Sequence, residues 1–88
     1  MTDNGAFAEV IPNPVTNTLR LKVQESKGQD VQTILLDASG RQVFKRVFVP
    51  ETSIHHEEFN VSQLSNGVYF LRVHLRDKQT ILKVIKVQ

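Results

Sequence analysis

The run His55-His56-Glu57-Glu58 is the densest group of proton-carrying and metal-ligating side chains in the chain. Two imidazoles and two carboxylates could hold a divalent cation or relay a proton. The surrounding pattern argues against both. Ile54 to Val61 reads as a β-strand, and neighbours on a strand point to opposite faces. His55 and Glu57 then share one face, and His56 and Glu58 the other. Each pair supplies two ligands where a zinc site takes three or four, and His74 would have to arrive from elsewhere to complete either. The expectation is a solvated charged strand, with no metal and no cofactor.

Other chemistries find less support. The sequence has no Cys, no Gly-x-Ser-x-Gly and no His-Glu-x-x-His. Its carboxylates pair only as sequence neighbours, which does not indicate an acid–base dyad. The four Gly residues never cluster into a phosphate-cradling loop. Asn60-Val61-Ser62 matches a glycosylation sequon, a match common by chance. The expectation is a protein that is not an enzyme and takes no small-molecule substrate.

Binding surfaces are the remaining option. The formal charge of +2 is too small to indicate a nucleic-acid partner. Towards the C-terminus, however, Arg72, Arg76, Lys78, Lys83 and Lys86 face Asp77 alone. That asymmetry fits either a solvated sheet face or a docking surface for an acidic partner. Phe44, Phe48 and Phe70 are candidates for outward rings. They could stack on a sugar, mediate a weak homodimer, or pack against the fold itself.

The elements that must position these groups are short strands. Eighty-eight residues suffice for one domain, which buries only about 60–65% of its unfolded surface. With 40% hydrophobic and 23% charged residues, the chain belongs with soluble globular domains and not with disordered tails. Without cysteine, no disulfide can staple it. Met1-Thr2-Asp3-Asn4-Gly5-Ala6 is unlike a signal peptide. The expectation is a domain excised from a longer protein whose targeting segment lies elsewhere.

Residues 1–10 read as a linker or N-terminal boundary and 11–88 as the domain, with a possible additional strand near Phe7–Ile11. Pro12 and Pro14 flank Asn13 and force extended backbone at a domain entrance or sheet edge. Leu19, Leu21 and Val23 alternate with Arg20, Lys22 and Gln24, the period of a strand with one wet face. A second strand covers Val31–Leu36. Asp37-Ala38-Ser39-Gly40 is a turn: the Asp accepts from backbone amides and the Gly takes a left-handed conformation. It should join strands 31–36 and 42–49 in a hairpin with a glycine bulge. Tyr69, Leu71, Val73 and Leu75 alternate next. Asp77-Lys78 turns the chain into a final strand over Thr80–Val87, where Val84-Ile85 suggests a bulge or burial on both faces. Turns recur every 8–12 residues, as in an all-β, immunoglobulin-like antiparallel sandwich of about seven strands. Leu64-Ser65-Asn66-Gly67-Val68-Tyr69 resembles a tyrosine corner, in which the phenol packs inside and its hydroxyl bonds a nearby backbone group.

Four motifs stand in order: Ile11-Pro12-Asn13-Pro14 with Leu19-x-Leu21; Asp37-Ala38-Ser39-Gly40-Arg41-x-Val43; Leu64-x-x-Gly67-x-Tyr69-Phe70-Leu71-Arg72-Val73; and Lys83-Val84-Ile85-Lys86. Together they resemble the type A C-terminal sorting domain of the type IX (Por) secretion system of Bacteroidetes, over about residues 10–88. Ile11 stands where that family often has an aromatic.

The resemblance implies a non-catalytic signal that directs a larger cargo across the outer membrane. It implies three partners: the outer-membrane translocon, a shuttle protein and a sortase-like cysteine peptidase. The peptidase would cut before Pro12. The protein would pass through the periplasm to the cell surface or beyond. Arg72, Arg76, Lys83 and Lys86, with the backbone edge of the last strand, are the expected contact residues. Pro12, Asn13, Pro14, Asp37, Gly40, Arg41, Leu64, Gly67 and Tyr69 are expected to shape the fold. The alternative from another class is an accessory carbohydrate- or protein-binding sandwich of a secreted multidomain protein.

Overall fold

A computed structural model describes residues 7–11 and 14–88. Among these, every regular element is a strand: β1 (Ala8–Ile11), β2 (Thr18–Gln24), β3 (Val31–Asp37), β4 (Gln42–Phe48), β5 (Ile54–Asn60), β6 (Gly67–Leu75) and β7 (Lys78–Lys86). They form two antiparallel sheets, in the order β1-β2-β5 and β4-β3-β6-β7. The chain crosses between sheets after β2, β4 and β5, which gives the two-layer sandwich expected from the alternation. In a constant-type immunoglobulin domain the fourth strand joins the sheet of the first two. Here β4 pairs with β3 instead, because the Asp37–Gly40 turn folds the chain straight back into a hairpin.

The period-two pattern places the core where it should be. Leu19, Leu21 and Val23 of β2 face Val31 and Leu35 of β3, Leu71, Val73 and Leu75 of β6, and Val84 of β7, all buried. Each fully buried Leu or Val contributes about 1.5–3 kcal/mol. Thr33 is the buried polar position of β3, and its hydroxyl donates to the Arg46 carbonyl at 2.8 Å. In β4, one residue is inserted opposite the Leu35–Leu36 step. This bulge lets Val43 and Phe44 both pack against the core.

β1 is the additional strand expected near Phe7–Ile11: Ala8 is buried, and the Gln24 amide donates to the Phe7 carbonyl at 2.8 Å. One strand boundary differs from the sequence reading. The last hairpin turns on Arg76-Asp77, with Leu75 opposite Lys78, so β7 begins at Lys78 and not at Thr80. The β6–β7 ladder runs from Gly67↔Lys86 to Leu75↔Lys78 without a shift. Val84-Ile85 therefore marks burial on both faces: Val84 is inside, and Ile85 is half-buried on the other side.

Candidate recognition surface

Two motifs shape one end of the sandwich. The Gly40 amide donates to the Asp37 carbonyl and the Asp37 amide to the Arg41 carbonyl, both at 2.9 Å, with Gly40 at φ 90°. The Asp37 carboxylate accepts from the Ser39 hydroxyl (2.7 Å), the Ser39 amide (3.0 Å), the Arg41 amide (2.9 Å) and Arg41 Nε (3.2 Å). These donors, led by the Ser39 hydroxyl, lower its pKa from 3.8 to about 2. Asp37 pairs with Tyr69 across β3 and β6. The Tyr69 hydroxyl donates to the Ser65 carbonyl at 2.7 Å, completing the expected corner. Leu64 packs against the core beneath it, and Gly67 opens β6 at φ 151°. Pro14 is exposed, whereas Pro12 and Asn13 lie outside the described residues.

The His-Glu run divides as its strand dictates. His55 and Glu57 face inward, 2.7 Å apart, and His56 and Glu58 face outward. The inward pair is absorbed by a contact that the sequence does not announce. The Arg46 guanidinium donates to the Glu57 carboxylate (3.0 Å) and the Glu58 carbonyl (2.8 Å), and lies 4.4 Å from the Phe59 ring centroid. Phe44 stacks on Phe59 at 5.2 Å and Phe48 on His55 at 5.0 Å. Two of the three rings considered for an outer surface thus point between the sheets. Only Phe70 faces out.

The four cations expected to meet a partner do not form one cluster. Arg72 lies between Ile34 and Ile81, and Lys83 lies opposite Phe70, so these two share the outer face of the four-stranded sheet. Arg76 occupies the β6–β7 turn at φ 55°. Lys86 is on the inner side of β7, 4% exposed, with its ammonium reaching the Val87 carbonyl at 3.3 Å. The β7 edge is also partly occupied. Val15 runs parallel to it, its amide donating to the Ile85 carbonyl (2.8 Å) and its carbonyl accepting from Val87 (2.9 Å). No periodic signal marks a single bridging residue, so the sequence reading missed this contact.

What this arrangement offers chemically is a surface: a sheet face carrying cations, bounded by an edge already guarded at one end. No curated protein sequence matches the chain. The family model described as the secretion system C-terminal sorting domain matches residues 9–88. The motifs at Asp37–Arg41 and Leu64–Val73 and the lysine-bearing last strand all fall inside that match, and the chain belongs to the family of type IX secretion C-terminal sorting domains.

Proposed function

We propose that this domain is a non-catalytic address label whose folded outer surface is read by the type IX machinery. The cargo ahead of it crosses the inner membrane by its own signal and folds in the periplasm. The domain then engages the outer-membrane translocon, passes to a shuttle protein, and is removed by a sortase-like cysteine peptidase. The observation that supports this reading is the match over residues 9–88, which takes in nearly the whole sandwich. Arg72, Arg76 and Lys83 on the last two strands supply the charge that is read. Lys86 acts through the fold, since its side chain is buried. A partner strand adding to β7 would join upstream of the Val15 contact.

The strand pairing supports a cut upstream of β1. Cleavage within Ala8–Ile11 would remove β1, whose four residues pair with Val23 to Arg20. A cut before Phe7 keeps every strand of the described residues. The test is a reporter with a periplasmic signal, fused ahead of residues 1–88, in a type IX-competent host and in one lacking the peptidase. The expected result is a released domain in the first host only, beginning at or before Phe7. A domain that stays attached in the competent host, or a fragment starting inside β1, contradicts the proposal.

A further inference from the structure

The two outer faces of the sandwich differ in kind. On the three-stranded sheet, outward positions carry both signs, and Arg20 pairs with Glu58 at 3.3 Å. The four-stranded sheet is different. The register and the burial alternation turn Lys45 of β4, Ile34 of β3, Phe70 and Arg72 of β6, and Ile81 and Lys83 of β7 outward, and no Asp or Glu of these four strands shares that face. Leu36 pairs with Phe70, Ile34 with Arg72, and Arg72 with Ile81, which makes the middle of the face apolar. Ile81 is 56% exposed and Val47 49%. A sheet face left to water normally carries polar residues. An apolar one of this extent marks a contact surface.

Building on the reading above, we infer that this face docks a protein segment in which carboxylates flank apolar side chains, and that this contact supplies the specificity of recognition. The charge pattern selects that occupant. Lys45 and Lys83 stand on the two edge strands of this face and Arg72 stands between Ile34 and Ile81, so a partner placing Asp or Glu beside its apolar side chains gains complementary contacts and faster encounter. A second copy would bring like charges together. A lipid surface is a poorer fit: anionic bilayers are typically met by roughly four to eight clustered Lys and Arg, and this face has neither their number nor a Tyr or Trp anchor.

The test uses the reporter fused to residues 1–88 in a type IX-competent host. Export of the unmodified fusion establishes the reading on which the inference rests, and its failure sinks that reading separately. Given export, Ile81→Asp and the double variant Arg72→Glu/Lys83→Glu should each lower surface reporter about tenfold. Lys22→Glu on the opposite face should leave it unchanged. Melting temperatures of the purified variant domains identify any that fail to fold, and those are replaced by Ile81→Ser and Arg72→Gln/Lys83→Gln, which should also lower export. Wild-type export by folded variants overturns the inference. A photo-crosslinker at Phe70 then reads the occupant. The expected adduct is a partner peptide with Asp or Glu beside apolar residues, lost in the double variant. An adduct to lipid, to the reporter or to a second copy of the domain overturns it.

Discussion

Arg46 lies over Phe59 with its guanidinium carbon 4.4 Å from the ring centroid, and so joins the edge strand of one sheet to the edge strand of the other. β4 and β5 share no backbone ladder. They are tied by this stack and the bonds from Arg46 to Glu57 and to the Glu58 carbonyl, alongside the stacks of Phe44 on Phe59 and Phe48 on His55. Such a stack contributes about 0.5–2 kcal/mol depending on desolvation, and a half-exposed ion pair about 0–1. Arg46→Ala should therefore lower stability by about 1–2 kcal/mol in chemical denaturation. Arg46→Lys should recover only part of the loss, since an ammonium lacks the planar donor fork.

The tyrosine corner has a narrower signature. Tyr69→Phe keeps the ring in the core and removes only the 2.7 Å bond to Ser65. A net hydrogen bond is worth about 1 kcal/mol, which for a domain of this size lowers the melting temperature by about 4–8 °C. An unchanged melting curve would show that the corner holds by packing alone.

Asp37 predicts an acid-limb effect whose sign is fixed. Its carboxyl is held at about 2 in the folded chain, below its ordinary 3.8. A lowered carboxyl pKa contributes stability above the unfolded value, and that contribution disappears as pH falls through the folded value. The wild-type domain should lose stability between about pH 4 and pH 2, and Asp37→Asn should flatten that part of the curve. Thermal melts across the interval measure it.

Two backbone positions predict opposite outcomes. Gly40 has φ 90° with open space where a Cβ would stand, so the cost of Gly40→Val is conformational strain and not a Cβ clash. The cost is on the order of 1–3 kcal/mol. Arg76 already bears such strain at φ 55°, and Arg76→Asn should raise stability by a few tenths of a kcal/mol or more, because Asn tolerates that region better. Equilibrium unfolding of both variants checks the pair.

Much of this architecture is legible in the chain wherever a residue's partner is local or its strand keeps strict alternation. Leu19-Leu21-Val23, the Asp37–Gly40 turn and the Ser65–Tyr69 corner are cases of this kind. Legibility fails where the deciding contact comes from a distant strand. Nothing near Glu57 says that Arg46 will reach it from the other sheet, or that Phe44 and Phe48 will turn inward with it. Lys86 reads as a surface cation, yet its stem lies along the inner face while the ammonium reaches the Val87 carbonyl at the strand end. The apolar outer face of the four-stranded sheet becomes visible only once the register sets Ile34, Arg72 and Ile81 side by side.

The most direct measurement is the location of a periplasm-directed reporter fused ahead of residues 1–88, in a host with an intact type IX translocon and in one without it. Surface or extracellular reporter in the first and periplasmic reporter in the second is the predicted result. Reporter confined to the periplasm of both hosts would contradict the assignment of this sandwich as an export address.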